Sequence, residues 1–322
     1  MSRLRKLALA LALLLVLLGA AVAVLFWKRP LAVLAWSGRR RLEAGGCSKQ
    51  KVASAAGPQT VFRGGSGPAV VLLHGAGDQA GTWAGVAPSL AKSFTLILPD
   101  LAGHGESAPA RGPLPLGALL EGLDSVLERQ APAGKVTLVG NSLGAWIAAL
   151  WAKEHPARVE HLVFVNGGPI RKEPTDLTLM PRTRAQADAL LHALRDPTSP
   201  VVPTFVVDDL IRVSNEGPIA RLAADAKGME AYLLDGKLDT LTVPVDLVWG
   251  ASDTLLPLAW AERLQAQLPA ARLTKIDRCG HVPQQECPEA FAAALSRVLR
   301  DPLPAPTVSS PPTPSVKRPA PP

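Results

Sequence analysis

Cysteine is scarce in this sequence, with three residues among 322. A small disulfide-framed module needs a dense set of cysteines, and a structural zinc domain needs paired Cys-x-x-Cys ligands, so the composition excludes both classes. Two of the three, Cys279 and Cys287, lie close together near the C-terminus. They are compatible with two free thiols and, if the protein is exported, with a disulfide.

Acidic residues are nearly absent from the N-terminal part of the chain. The first 51 residues carry ten of the 34 Lys and Arg residues and one of the 27 Asp and Glu residues, so the rest of the chain has 24 basic and 26 acidic residues. The formal net charge of +7 therefore belongs to a terminal segment. We expect no nucleic-acid partner, because such proteins carry their basic charge on the folded surface that meets the phosphates. A basic flank of this kind suits anionic lipid headgroups.

The same segment contains a long stretch without charge, the 21 residues from Leu7 to Trp27. About 20 apolar residues cross a bilayer as a helix. We predict that residues 1–27 are an uncleaved single-pass anchor in contact with membrane lipids, because the apolar region of a signal peptide is shorter, about 7–15 residues. The alternative is a signal peptide cleaved near Ala21–Ala23, which would give a secreted or periplasmic protein. Basic charge on both sides of the run leaves the orientation open.

Composition divides the rest of the chain into three parts. Residues 28–57 are predicted to be a basic juxtamembrane connector, residues 58–301 a folded domain, and residues 302–322, with nine prolines, a disordered tail. Within the domain, residues 167–241 contain polar and helical segments but no convincing buried strand. We predict that they form a helical cap over a substrate cleft.

Short apolar runs alternate with helical patterns through the rest of the domain. Runs typical of buried parallel strands are residues 69–73, 94–98, 136–139, 161–165, 245–249 and 272–276. Helical patterns cover residues 81–91, 116–129, 143–154, 258–268 and 288–299. This alternation predicts an α/β fold with a mostly parallel sheet and helices on both faces.

A nucleophile motif, Gly140-Asn141-Ser142-Leu143-Gly144, stands between a predicted strand and a predicted helix. In a G-x-S-x-G elbow the serine occupies a sharp turn with small neighbours, here Gly140 and Gly144, and its hydroxyl projects above the sheet. We predict that Ser142 is a nucleophile. The alternative is an ordinary glycine-rich turn.

A serine hydroxyl needs a base, and the base needs an acid that orients it. His281 follows the last predicted strand and Asp253 follows the strand before it, so both reach the sheet edge at which Ser142 lies. The order serine, acid, histidine is the one expected of such a triad. We predict His281 as the base and Asp253 as the acid; a surface histidine and a helix N-cap are the alternatives.

Two backbone N–H groups are predicted to hold the oxyanion, those of Leu143 and Ala76. Ala76 lies in the loop His74-Gly75-Ala76-Gly77, which follows a predicted strand. The small residues Gly75 and Gly77 allow a substrate to approach the backbone, and His74 is expected to brace the loop.

The same loop imitates a dinucleotide-binding fingerprint. Gly75, Gly77 and Gly81 follow a strand, and Asp100 ends the next strand. The spacing is G-x-G-x-x-x-G instead of G-x-G-x-x-G, and this interpretation leaves the predicted triad unexplained. We therefore expect neither a cofactor nor a metal.

With these residues in place, the chain resembles the α/β-hydrolase superfamily over about residues 58–300, in its esterase, lipase and carbon–carbon bond hydrolase branch. The resemblance rests on the loop at 74–77, Pro99-Asp100-Leu101-Ala102-Gly103-His104-Gly105-Glu106-Ser107, the elbow at 140–144, Gly250-Ala251-Ser252-Asp253 and Gly280-His281. Haloalkane dehalogenases and epoxide hydrolases of this fold carry Asp at the elbow, so the serine argues against both.

The resemblance implies a serine hydrolase that cleaves a small carboxylic ester through an acyl-enzyme. An N-terminal anchor and a capped body are similar to membrane-bound monoacylglycerol lipases, which implies a lipophilic substrate. Trp83 and Trp146 are candidates for lining an acyl pocket, whereas Trp249 is expected to pack in the core. A carbon–carbon bond hydrolase, a cofactor-free haloperoxidase and a non-catalytic ligand-binding protein remain alternatives.

Overall fold

The computed structural model describes residues 3–303 of the chain. Its centre is an eight-stranded sheet with the order β1-β2-β4-β3-β5-β6-β7-β8. The strands are β1 (Ser48–Val52), β2 (Gln59–Gly65), β3 (Ala69–Leu73), β4 (Thr95–Pro99), β5 (Val136–Asn141), β6 (Val159–Val165), β7 (Val245–Gly250) and β8 (Arg272–Ile276). β2 pairs antiparallel with β1 and β4, and β3 to β8 run parallel.

The α-helices fall mainly between the strands. They are α1 (Arg3–Lys28), α2 (Pro30–Ala44), α3 (Ala87–Leu90), α4 (Leu116–Gln130), α5 (Leu143–Glu154), α6 (Arg184–Leu194), α7 (Thr204–Glu216), α8 (Pro218–Ala223), α9 (Ala226–Glu230), α10 (Leu258–Gln267), α11 (Pro283–Glu286) and α12 (Pro288–Arg300). A 3-10 helix, Ala80–Gly85, precedes α3, so the predicted helix 81–91 is two short pieces.

Both faces of the sheet are buried from β3 to β7, which explains why these strands are mostly apolar. Along β3, Val71 and Leu73 contact the layer of α4, α5 and α10, whereas Val70 and Leu72 contact the 3-10 helix, α3 and α12. Side chains alternate between the two faces because a strand has a period of two residues. The predicted fold, a mostly parallel sheet between helical layers, is confirmed.

The N-terminal region differs from the prediction. One stretch of α1, Ala10–Lys28, is long and apolar enough to cross a membrane, and it is unburied. Residues 28–57 are not a connector: α2 packs on the 3-10 helix through Gly38, where an added Cβ would lie 2.7 Å from Gly81 O, and β1 completes the sheet edge. The sequence of β1, Ser-Lys-Gln-Lys-Val, contains no apolar run that would predict a strand. An exposed edge strand needs little apolar sequence, because few of its side chains are buried.

The predicted cap is helical. Between β6 and β7 the chain forms α6, α7, α8 and α9 and a short 3-10 helix, Leu238–Thr240. α7 also meets the N-terminal helices: the Trp27 ring stacks on Phe205 with centroids 4.8 Å apart, and Leu31 N–H donates to Asp209 Oδ2 at 3.0 Å. The predicted proline-rich tail lies outside the described residues beyond position 303.

Candidate active site

Ser142 occupies the sharp turn between β5 and α5. Its backbone has φ 53° and ψ −117°, a left-handed conformation that side-chain-bearing residues rarely adopt. Such a residue costs about 1–3 kcal/mol and persists where its surroundings hold it. Here Ser142 N–H donates to Val165 O of the neighbouring strand at 2.9 Å.

The glycines around Ser142 are required by close backbone contacts. A Cβ on Gly140 would lie 2.3 Å from Ala145 N, and one on Gly144 would lie 2.4 Å from Leu73 O. Both distances are far below contact, so the turn can form only with glycine at these positions. The sequence motif and the strand–turn–helix geometry therefore agree.

His281 and Asp253 meet at the same edge of the sheet. His281 Nδ1 lies 2.8 Å from Asp253 Oδ2, and both residues are buried. Asn166 Nδ2–H donates to the same Oδ2 at 2.7 Å, and Leu256 N–H donates to Oδ1 at 2.9 Å. Both oxygens of this carboxylate are therefore fixed by hydrogen bonds. The carboxylate in turn fixes the orientation of the His281 imidazole.

Asn141 joins the elbow to the histidine loop. Its Nδ2–H donates to His281 O at 2.9 Å, and its Oδ1 accepts from Gln284 Nε2 at 3.1 Å. Within residues 3–303, Ser142 Oγ forms no hydrogen bond to His281. The three predicted residues thus share one edge, where a paired imidazole and carboxylate are tied to the serine's neighbour.

Asn141, Asn166 and Gln284 were not among the predicted site residues. Asn166 opens the run Asn166-Gly167-Gly168 directly after buried β6, and a Cβ on Gly167 would lie 2.4 Å from Ser142 Cα. Small residues after a central strand, at the edge that carries the elbow, were the available signal for Asn166. The other two roles depend on contacts distant in sequence.

The loop at 74–77 backs onto the serine. A Cβ on Gly75 would lie 3.3 Å from Ser142 Cβ. His74 Nδ1–H donates to Gly75 O at 2.8 Å, and its Nε2 accepts from Leu101 N–H at 2.9 Å, so the ring braces the loop as a neutral imidazole. Burial lowers the pKa of His74 to about 4, although the bond to Gly75 opposes this.

A cavity of about 350 Å³ opens above Ser142. Ala76 and Leu143, whose N–H groups were predicted to hold the oxyanion, both line it. The rest of the wall is mostly apolar and comes largely from the chain between β6 and β7: Ile170, Leu179, Met180, Ile219, Leu222, Met229 and Leu233. Such a cavity suits a ligand with an apolar body.

The two tryptophans predicted to line this cavity differ. Trp146 does line it, and its Nε1–H donates to Tyr232 O at 3.0 Å. The prediction for Trp83 is wrong: its side chain is fully buried on the opposite face of the sheet, against Phe291. The 3-10 helix that carries Trp83 directs it into the core. Trp249 is in the core, as predicted.

Two further features complete the surroundings. Cys279 and Cys287 form a disulfide that flanks His281, which answers the question left open by the sequence. Among residues 3–303, no group of three His, Cys, Asp or Glu side chains is placed to hold a metal ion.

A parallel sheet of this order, with helices inserted after β6 over its carboxyl edge, is the architecture of an α/β hydrolase. The sequence comparison agrees with the structure. This chain belongs to the alpha/beta hydrolase family, whose sequence pattern it matches over residues 70–294.

Relatives of the chain include esterases and hydrolases, named as pimeloyl-[acyl-carrier protein] methyl ester esterase and 2-hydroxy-6-oxononadienedioate/2-hydroxy-6-oxononatrienedioate hydrolase. It is 31% identical over 272 residues to an uncharacterized protein of Mycobacterium tuberculosis, covering 76% of this chain and 79% of that protein. It is 33% identical over 258 residues to a pimeloyl-[acyl-carrier protein] methyl ester esterase of Aromatoleum aromaticum, covering 72% and 98%. The crystal structure of a membrane phospholipase A, described as a bacterial virulence factor, is similar with a TM-score of 0.69 and 25% identity, covering 90% and 98%.

Proposed function

We propose that this protein is a serine hydrolase that cleaves carboxylic esters through an acyl-enzyme on Ser142, His281 and Asp253. The observation that carries the proposal is the buried contact between His281 Nδ1 and Asp253 Oδ2 at 2.8 Å, beside a strained elbow serine. With Nδ1 occupied by the carboxylate, Nε2 is the nitrogen free to accept a proton. That is the tautomer a general base needs.

In the proposed reaction, Ser142 Oγ attacks the ester carbonyl while His281 Nε2 takes its proton. The imidazolium is stabilised by Asp253 and returns the proton to the leaving alcohol. Water then attacks the acyl-enzyme by the same route, which releases the acid and restores the serine. The N–H groups of Leu143 and Ala76 would hold the oxyanion, since both line the cavity at the serine.

We propose a small or lipophilic ester, similar to a monoacylglycerol, as the substrate. The apolar cavity supports this, because burial of an acyl chain there removes apolar surface from water. The contact of the cap with the end of α1 supports a substrate that partitions into a membrane. We accordingly propose that α1 is an uncleaved single-pass anchor in contact with lipids.

The test is covalent labelling by a fluorophosphonate. We expect the wild type to be labelled and Ser142→Ala to be unlabelled while its circular dichroism spectrum is unchanged. Ser89→Ala, at an exposed position of α3, is the matched control and should label normally. Labelling of Ser142→Ala at the wild-type rate would refute the assignment.

Turnover defines the reaction class. We expect hydrolysis of p-nitrophenyl esters and monoacylglycerols, with kcat/KM rising with acyl length as the cavity fills. The carbon–carbon bond hydrolase and haloperoxidase alternatives would retain labelling of Ser142 but fail to turn over any ester of the series. A non-catalytic binding protein would show neither labelling nor turnover.

A further inference from the structure

The cavity above Ser142 has one charged side chain on its wall that lacks a partner. Lys172 lies in the loop after β6, which also contributes Leu179 and Met180 to the wall. Arg171 lines the cavity too, but its guanidinium donates to Glu230 Oε1 at 3.0 Å. Among residues 3–303, Lys172 has neither a hydrogen bond nor an ion pair.

Lys172 is half-buried at this mostly apolar wall. Burial lowers the pKa of Lys172, and attraction to Asp253 opposes this. Asp253 does not serve as its partner, because His281, Asn166 and the Leu256 N–H already hold that carboxylate. A charge that is partly removed from water beside an apolar surface is stabilised when an opposite charge meets it.

We propose that Lys172 binds an anionic oxygen group of the substrate, so that the preferred ester is an anionic amphiphile. Its apolar body fills the cavity of about 350 Å³ while its carboxylate or phosphate meets the ammonium. The inference rests on the proposed ester hydrolysis and adds the charge of the substrate to it. Lys172 thereby acts as a specificity-determining residue, and the reacting atoms remain those of the triad.

Matched pairs of esters separate charge from shape. The first pair is the monomethyl and dimethyl esters of one long-chain α,ω-diacid, which differ in a terminal carboxylate. The second pair is a 1-acylglycerol 3-phosphate and the 1-monoacylglycerol with the same acyl chain, which differ in a phosphate. If the wild type prefers the anionic member of the first pair, the anionic group is a carboxylate at the end of the acyl chain. If it prefers the anionic member of the second pair, the anionic group is a phosphate on the alcohol part of the ester.

We expect Lys172→Met to lower kcat/KM about 10- to 100-fold for the anionic member of that pair, the loss typical of a hydrogen bond to a charged group. The neutral member should be turned over at close to the wild-type rate. Lys172→Arg, which keeps the charge, should retain most of the preference. The matched control is Lys227→Met, which removes the same charge at an exposed position of α9 in the cap. It should leave kcat/KM unchanged for both members of the pair.

Two other results would overturn the inference in distinguishable ways. Equal effects of Lys172→Met on both members of each pair, with normal fluorophosphonate labelling, would remove only the role of Lys172. Absence of labelling and of all ester turnover in the wild type would instead refute the proposed function, and this inference with it.

Discussion

The candidate oxyanion loop depends on a histidine that works as an uncharged brace. Both ring nitrogens of His74 are used, one as a donor to Gly75 O and the other as an acceptor from Leu101 N–H. A protonated ring could no longer accept from Leu101. Because His74 is also fully buried, its folded-state pKa of about 4 lies well below the ordinary histidine value of 6.5.

We expect His74 to make the free energy of unfolding depend on pH between about 4 and 6.5. Within this window the unfolded chain binds a proton that the folded chain does not. The contribution of His74 is therefore complete above pH 6.5 and is lost as the pH falls towards 4, by about 3 kcal/mol.

Urea unfolding of the wild type and His74→Gln over this pH range measures the effect. The stability difference between them should shrink as the pH falls, whereas His192→Gln, at an exposed position of α6, should leave a constant difference. Parallel curves for the wild type and His74→Gln would contradict the prediction.

Individual site residues differ in how far the sequence predicts them. Ser142 could be predicted because close contacts force glycines beside it into a short motif. Asp253 and His281 could be predicted because each follows a recognisable buried strand. Asn141 and Gln284 could not, since their roles arise from partners 140 and 143 residues away in the chain.

Among the structural elements, α8 fastens the cap to the body. Arg221 donates to Gly112 O and Pro109 O at 2.8 Å each, and at longer distance to Gly103 O. The neighbouring Ile219 lines the cavity. Movement of this short helix would therefore open the cavity wall.

We expect Arg221→Met to loosen the cap. Removing hydrogen bonds from a charged group costs about 1.5–3 kcal/mol, so amide exchange in α8 should accelerate roughly 10-fold or more. Turnover of long-chain esters should fall more than turnover of p-nitrophenyl acetate, which needs little of the cavity. Arg184→Met, which removes an exposed ion pair between α6 and α7, should change neither measurement.

The loop that carries His281 is closed by the Cys279–Cys287 disulfide. In the chain-entropy model, a loop this short contributes about 2.5 kcal/mol. We expect Cys279→Ser with Cys287→Ser to lower the free energy of unfolding in urea by that amount and to reduce esterase activity. Dithiothreitol should have the same effect on the wild type and none on the double variant. A wild type unaffected by reduction would disprove the role of the disulfide.

Among the structural elements, the central strands could be predicted from the sequence, whereas β1 and α2 in the N-terminal region could not. β3 to β7 are buried on both faces, so apolar runs identify them. β1 has one buried residue among five and exists through its pairing with β2. α2 is stabilised by packing on the 3-10 helix, and this contact cannot be predicted from the local sequence of α2.

For the whole molecule, the proposed role of α1 is to set the location of the protein. Its apolar stretch is unburied, which is costly in water and favourable in lipid. We expect the full chain to stay in the membrane fraction after alkaline carbonate extraction and to keep its N-terminal residues by intact mass. A soluble product shortened near Ala23 would instead establish a cleaved signal peptide. Leu14→Arg with Leu17→Arg should release the uncleaved chain, since each charge costs about 2.5–3.5 kcal/mol at a helix centre.

The stacking of Trp27 on Phe205 connects the proposed position of α1 in a membrane with the rate of ester hydrolysis. With α1 in a bilayer, this contact would hold the cap at a constant height above the headgroups, and the enzyme would sample substrate by diffusion in two dimensions. Its velocity would then follow the mole fraction of ester in the lipid. Adding inert phospholipid to mixed vesicles would slow the reaction, while diluting the same vesicles with buffer would leave the turnover per enzyme unchanged.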